Sequence, residues 1–318
     1  MKRIAILTSG GDAPGMNAVI RAITRAGIAL DLEVYGVRGG FKGLYDNEIF
    51  KLGRKSVSEK LNRGGTFLQS ARFPEFMNDD VVKVAADNLR KHNIENIIVI
   101  GGDGSFKGAM SLSRFDIKVI GIPATIDNDI ASTDFTVGFD TAVNTAVEAI
   151  DRIRDTSNSH KRCSIIEVMG RDCGDIALHS GVATGAEAIY VDGESFTYDS
   201  VCKVVEEAQA NYKKHALIII AENICNVIDL AEYVEKKTQY TTRSTILGHV
   251  QRGGTPSAFD RYLASNFGAY AIKLILEDTY NVALGTNGAN LFYTPIKDAV
   301  EMKNNDKEYF FKAAELLK

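Results

Sequence analysis

The chain has 318 residues, 45% of them hydrophobic and 25% charged, with a formal net charge of −4. That is globular composition, enough for one large or two moderate domains. The charge excludes a basic field for nucleic acid or an anionic membrane, and the longest purely apolar run, residues 216–221, is far too short to span a bilayer.

The start, MKRIAILTSGGDA, has a basic flank and a brief apolar core, which reads as a first strand over residues 3–7 rather than a signal peptide. Thr8 to Asn17 form a glycine-rich turn, and apolar residues at 19, 20, 23 and 28 then recur at helical spacing. Strand, glycine turn and helix is an arrangement that cradles phosphate on bare backbone amides. It is neither a Walker A loop nor G-x-G-x-x-G. Residues 34–37 read as a second strand ending at Gly39-Gly40-Phe41. The loop 63–74 is polar, basic and glycine-rich, and beside an anionic site its Arg72 becomes a candidate clamp. Asn78 and Asp79 cap a helix over about 80–91 whose Val81, Val82, Ala85 and Leu89 face inward.

The stretch 97–129 organises the chain. Apolar runs at 97–100 and 119–122 read as buried parallel strands. One ends in Gly101-Gly102-Asp103-Gly104-Ser105, the other in Ala124-Thr125-Ile126-Asp127-Asn128-Asp129. Neighbouring parallel strands bring such turns side by side, where ligands bind in open α/β sheets. Glycine amides suit phosphate, one aspartate suits Mg²⁺, and a second can take a proton from an attacking hydroxyl. That set serves phosphoryl transfer.

Further on, Phe139, Val143, Val147, Ile150 and Ile153 predict a long helix ending near Ser157. A strand at 164–168 runs into Met169-Gly170-Arg171-Asp172-Cys173-Gly174-Asp175, and a helix follows to about 184. Helices are expected at 198–212, 227–237 and 258–276, and a strand at 215–221 ending at Glu222. Residues 241–250 lead to His249-Val250-Gln251-Arg252-Gly253-Gly254. Beyond residue 276 the pattern is weak. The four cysteines (163, 173, 202 and 225) lack C-x-x-C spacing and read as reduced thiols of a cytoplasmic protein. Alternating β and α predict the α/β class, as two α/β domains with largely parallel sheets flanked by helices.

The stretches LTSGGDAPGMNA (7–18), NRGGTFLQSARFPEF (62–76), IGGDGS (100–105), TIDNDI (125–130), IRDTSNSH (153–160), VMGRDCGD (168–175) and LGHVQRGG (247–254) together resemble the bacterial ATP-dependent 6-phosphofructokinases. The match runs in order along most of the chain and fades beyond about 280. The resemblance implies a larger nucleotide-binding domain, residues 1–138 with about 252–305, and a smaller sugar-phosphate-binding domain, 139–251 with about 306–318. It implies transfer of the γ-phosphate of ATP to the 1-hydroxyl of fructose 6-phosphate, with Mg²⁺, in a homotetramer.

By the same resemblance, Gly11, Arg72, Phe73, Gly102, Asp103, Gly104 and Ser105 match ATP-binding residues, with Asp103 the magnesium ligand. Asp127 matches the general base, Thr125 and Arg171 match residues at the transferring phosphate, and Arg72 and Asp129 support them. Ile126, Met169, Gly170, Glu222, His249, Val250, Gln251 and Arg252 match substrate contacts. Arg162 and Arg243 match residues that reach the sugar phosphate from a neighbouring subunit. Taken alone, His249 is more often a core or surface histidine, and the Gln-Arg-Gly-Gly turn beside it favours ligand binding. Arg162 and Arg243 rest on the resemblance only.

Family members that use ATP have small residues at the positions of Gly104 and Ala124, whereas pyrophosphate users carry aspartate and lysine. ATP is therefore the expected donor, and a pyrophosphate-dependent enzyme the alternative. Phe41 stands where tyrosine is common and is expected to stack on a base. Met77 replaces a common basic residue. Arg21, Arg25, Arg54, Arg154, Gly185, Glu187, Lys213 and His215 match an effector site that takes ADP or GDP as activator and phosphoenolpyruvate as inhibitor. Asn211 removes a usual cation there, so a weak response is expected. Other G-G-D-G kinases, such as NAD or lipid kinases, lack the TIDND and HVQRGG stretches. A non-catalytic nucleotide sensor would not need Asp103, Asp127 and Arg171 together.

Overall fold

The computed structural model describes residues 2–194 and 196–302. Continuous apolar runs become strands buried on both faces, and stretches with a 3.6-residue apolar period become the helices that cover them. The chain starts with β1 (Arg3–Thr8), α1 (Met16–Ala29), β2 (Glu33–Val37), α2 (Gly40–Tyr45), β3 (Ile49–Leu52) and α3 (Asp79–Lys91). It continues through β4 (Asn96–Gly101), α4 (Asp103–Ser113), β5 (Lys118–Pro123) and α5 (Phe139–His160). Then come β6 (Cys163–Val168), α6 (Asp175–Thr184), β7 (Ala188–Tyr190), α7 (Tyr198–Ala210), β8 (Ala216–Ala221), α8 (Val227–Thr238) and β9 (Thr242–Ile246). The described residues close with α9 (Ala258–Leu276), β10 (Val282–Asn287), β11 (Asn290–Pro295) and α10 (Ile296–Glu301).

Two compact units result. Among the described residues, the first comprises 2–141 and 252–302 and the second Ala142–Gln251. The expected assignment of residues 306–318 to the smaller domain lies outside the described residues.

The first unit holds a seven-stranded sheet in the order β11-β10-β5-β4-β1-β2-β3. Its inner pairings are parallel, and only the two edge pairs, β2–β3 and β10–β11, are antiparallel. The chain moves outward from β1 to β2 and β3, then returns to the other side of β1 with β4. The carboxyl ends of β1 and β4 therefore flank a topological switch point, the preferred ligand position of open α/β sheets. One face packs Leu7, Val99 and Val119 against Phe106, Leu89 and Ala109. Helix α9 covers α1 closely: a Cβ at Gly268 would overlap Ala22 Cβ at 2.5 Å and Ile23 N at 3.0 Å.

The second unit holds a four-stranded parallel sheet, β7-β8-β6-β9. Ile165, Ile218 and Ile220 pack against Val201, Val205, Leu230 and Val234 of α7 and α8. Several helices carry their own start signals: Asn78 caps α3, Thr197 and Ser200 form a capping box on α7, and Asn226 caps α8. Helix α5 runs past the expected end at Ser157 to His160. Its last turn is polar, so no apolar stripe marks it, but buried Ser157 shares a 2.5 Å hydrogen bond with Ser164 of β6. Among the described residues no helix is long and apolar enough to cross a membrane.

Candidate active site

Three turns meet at the carboxyl ends of β1, β4 and β5 in the first unit. The turn after β1 opens at Gly10, where φ is 81°, and exposes Gly11 and Asp12. A Cβ at Gly11 would collide with the Nη1 of Arg252, so the arginine lies directly over this backbone. Buried polar residues fasten the loop 63–70 beneath it. Asn17 donates to Arg63 O and Gly64 O at 3.1 and 3.0 Å and accepts from Phe67 N at 2.8 Å. Thr8 Oγ1 donates to Gln69 O at 2.9 Å, and Ser70 Oγ donates to Gly10 O. Arg72, exposed, follows on this tethered loop.

The turn after β4 leads straight into α4. No side chain caps that helix, whose N-cap is Gly102. The positive end of the helix dipole is thus left for an anion. Asp103 sits in its first turn, half exposed, and pairs with Lys107 at 2.7 Å. The glycines here differ in their reasons. A Cβ at Gly101 would run into Ser105 Oγ and Ser9 O, so glycine is needed for packing. A Cβ at Gly104 would meet nothing within 4 Å, and the backbone there is not left-handed. Neither packing nor conformation requires a glycine at 104.

The turn after β5 abuts this one: a Cβ at Gly102 would lie 3.7 Å from Thr125 Cβ. Asp127 is only 4% exposed, and its N–H donates to Thr125 Oγ1 at 3.2 Å. Asn128 takes a left-handed φ of 52°. Thr136 braces the turn, donating from Oγ1 to Thr125 O at 2.7 Å and from N to Asn128 Oδ1 at 3.0 Å. Ile126 is 2% exposed, so its side chain belongs to the core rather than facing a ligand.

Aromatic residues beside these turns are largely core. Phe41 is 5% exposed and stacks on Phe76 with centroids 4.2 Å apart. One ring face is therefore taken by the core, which corrects the expectation of a base platform. Phe73 is half-buried, 5.7 Å from the Tyr45 ring. Met77 is 63% exposed.

In the second unit the ends of β6 and β8 form a separate turn cluster. Glu222 Oε1 accepts from Gly170 N at 3.1 Å and Arg171 N at 2.6 Å. Gly170 has φ 145° and Arg171 φ 55°, and the arginine side chain is exposed. A left-handed arginine held by a carboxylate is a strained backbone that its surroundings maintain. Met169 N donates to Gln251 Oε1 at 3.3 Å, and Gln251 Nε2 donates to Gly248 O at 3.1 Å. Gln251 is 0% exposed, so this side chain braces the turn rather than meeting a ligand. Glu167 is pushed up from its ordinary value by burial and then by the charge of Glu222. His249 and Val250 are exposed, Arg162 half-exposed, and Arg243 Nη1 pairs with Glu235 at 2.9 Å.

The effector matches fall in both units. Arg21 and Arg25 are one turn apart on α1, and burial, then the Arg25 charge, holds Arg21 below its ordinary value. Arg54 is exposed. In the second unit Glu187 accepts from Leu217 N at 2.6 Å and Lys213 Nζ at 3.2 Å. Arg154 lies 3.4 Å from Asp151, and Gly185, at φ 61°, ends α6. Arg25 Nε, Arg154 Nη2 and His215 Nδ1 are buried without a hydrogen-bond partner among the described residues.

Among the described residues no group of three His, Cys, Asp or Glu side chains is placed to hold a metal. A single half-exposed carboxylate at an uncapped helix start fits Mg²⁺ arriving on phosphate oxygens, which needs only one or two protein carboxylates. Asp103 would hold it. Asn17 and Asn128 are not legible as braces in the sequence because each is a polar residue inside a longer motif, and Thr136 is not because it follows TIDNDI in a stretch with no pattern of its own.

Residues 3–275 match the family model described as Phosphofructokinase. The chain is 51% identical, over 100% of its length and 99% of the other, to an ATP-dependent 6-phosphofructokinase of Clostridium botulinum. It is 50% identical to one of Erwinia tasmaniensis, covering 95% of this chain and 94% of that one. Among solved structures, the phosphofructokinase of Saccharomyces cerevisiae aligns with TM-score 0.87 at 32% identity. That alignment takes in 100% of this chain and 47% of the yeast chain. A pyrophosphate-dependent phosphofructokinase of Marinobacter aquaeolei shares the fold, with TM-score 0.85 at 19% identity over 97% of this chain and 86% of that one. The chain is a member of the phosphofructokinase family.

Proposed function

We infer that this chain is an ATP-dependent 6-phosphofructokinase, moving the γ-phosphate of ATP to the 1-hydroxyl of fructose 6-phosphate and giving fructose 1,6-bisphosphate and ADP. The observation that carries this reading is the division of labour between two adjacent strand ends. Asp103 stands half-exposed at an uncapped helix start, and Asp127 stands buried on the neighbouring turn. Phosphoryl transfer needs placement and charge neutralisation more than covalent chemistry.

In this reading the α4 start and the Gly11 turn hold the phosphates, with Arg72 beside them. Asp103 would hold Mg²⁺, which would supply charge neutralisation to the nucleotide phosphates. Asp127 accepts the proton of the sugar hydroxyl, and Thr125 and Arg171 hold the moving phosphoryl group. Asp129 supports Asp127. Met169, Gly170, Arg171 and Glu222 serve the sugar, and His249 and Arg252 its 6-phosphate. Arg162 and Arg243 act on a neighbouring subunit of a homotetramer. The first unit is the nucleotide-binding domain and the second the sugar-phosphate-binding domain. The unexplained glycine at 104 supports ATP over pyrophosphate, because it leaves room that the protein itself does not use. The enzyme works in the cytoplasm. Arg21, Arg25, Arg54, Arg154, Gly185, Glu187, Lys213 and His215 form an effector site for ADP or GDP and for phosphoenolpyruvate.

The deciding assay supplies fructose 6-phosphate and Mg²⁺ with either ATP or pyrophosphate. Turnover with ATP alone is expected. Turnover only with pyrophosphate, or with neither, overturns the reading.

A further inference from the structure

Asp260 is 0% exposed, in the first turn of α9, and no step of the proposed reaction uses it. Ser257 and Asp260 have the spacing of a capping box, in which the acidic side chain returns to the N–H of its own cap residue. Only half of that box forms. Asp260 N donates to Ser257 Oγ at 3.1 Å, but Ser257 N donates instead to Thr141 Oγ1 at 2.9 Å. The Asp260 carboxylate crosses to the start of α5. Its Oδ1 accepts from Gly138 N at 2.8 Å, and its Oδ2 accepts from Thr141 N at 2.8 Å and Thr141 Oγ1 at 2.5 Å.

What is pinned there is the splint of the Asp127 turn. Val137 N donates to Pro123 O at 3.0 Å, and Val137 bridges Ala124 in parallel. Thr136 then holds Thr125 and Asn128. The same short segment is wedged against the β1 turn. A Cβ at Gly138, whose φ is 105°, would meet Ala13 Cβ at 2.6 Å, and one at Gly15 would meet Val137 Cγ1 at 2.5 Å. Residues 136–138 thus touch two ligand-facing turns, and their far end is fastened to a buried anion. We propose that Asp260 is a positioning residue for phosphoryl transfer: by clamping Gly138 and Thr141 it fixes the strap that sets Thr125 and Asp127 in register with the phosphate-holding turns. The functional part of this rests on the kinase reading above; the mechanical part does not.

The test is Asp260→Asn, which keeps the volume but leaves one acceptor for donors on both sides. At pH 8, with ATP and fructose 6-phosphate, its kcat is expected to fall roughly 10- to 100-fold, the scale of an ångström-sized misplacement. The same substitution in an Asp127→Asn background is expected to cost markedly less, since only Thr125 then remains to be misplaced. An equal loss in both backgrounds, the mark of a smaller folded fraction, overturns the proposal, as does an undiminished kcat. Amide hydrogen exchange reads the strap directly. Faster exchange in residues 134–141 and 125–128 of Asp260→Asn is expected, and unchanged exchange there overturns the proposal. If Asp260→Asn does not fold, Thr141→Val removes one donor with the carboxylate kept, and Thr141→Ser restores it. Loss in the first and recovery in the second are expected; identical behaviour of the two overturns the clamp. A fully active Asp127→Asn protein would refute the base assignment, and the exchange measurement would then decide on Asp260 by itself.

Discussion

Asp127 and Asp260 are both nearly sealed from water, yet burial acts on them for different ends. For Asp127 the prediction is kinetic. Asp127→Asn keeps the shape of the turn and removes the proposed base, so kcat should fall by about 10²–10⁴-fold. Circular dichroism and fructose 6-phosphate binding should survive, and near-normal turnover would remove Asp127 from its role. For Asp260 the prediction concerns stability. Burial pushes its carboxyl up to about 6 despite three donors, and the charge of Asp140 adds to the shift. A carboxyl with a folded value near 6 and an unfolded value near 3.8 keeps more protons in the folded state across that window. Stability from this group is therefore greatest below the window and declines as pH rises through it, by an amount of the order of 3 kcal/mol. Urea unfolding between pH 4.5 and 7 should show a slope that Asp260→Asn flattens; an unchanged slope counts against it. In the sequence Asp103 and Asp127 were legible because each ends an apolar run in a polar turn. Gln251 matches a substrate contact by family resemblance alone, and the packing shows it bracing Met169 instead.

At the scale of elements, α4 offers a substitution whose structural and chemical effects separate. An aspartate in the first turn of a helix is favourable or neutral, and space is open at 104. Gly104→Asp should keep its melting temperature while the KM for ATP rises roughly tenfold or more through repulsion of phosphate. A large loss of melting temperature would show that glycine there is structural after all. Gly101→Ala is the counterpart: its methyl would run into Ser105 and Ser9, so it should cost about 1–3 kcal/mol in chemical denaturation. The parallel strands were readable as unbroken apolar runs. Helix α2 was not, because Gly40 and Gly43 oppose helix by propensity. It forms around a close approach in which any Cβ at Gly43 would strike the Arg38 carbonyl. Strands β3 and β11 escaped because edge strands bury little and so carry little pattern.

For the molecule as a whole, the testable property is its response to effectors. Arg21 and Arg25 present paired positive charge, while Lys213 is already engaged by Glu187 and Asn211 brings no charge. Losing one cation from a diphosphate cluster removes about 1–3 kcal/mol of charge-assisted hydrogen bonding. Phosphoenolpyruvate titrations with and without ADP should therefore give shallow, nearly hyperbolic fructose 6-phosphate curves. A strongly sigmoidal curve relieved by ADP would refute this.

The chain order of the seven-stranded sheet also sets a timetable for synthesis. The partner that α9 provides for α1, and the strand β10 beside β5, are made only after Ala142–Gln251, the described part of the second unit, has been synthesised. The second unit has its whole four-stranded sheet in one uninterrupted stretch, so it can fold first, while the earlier-made part waits with an uncovered helix face and an open strand edge. That waiting intermediate is the vulnerable one, exposed to chaperones and to aggregation alike.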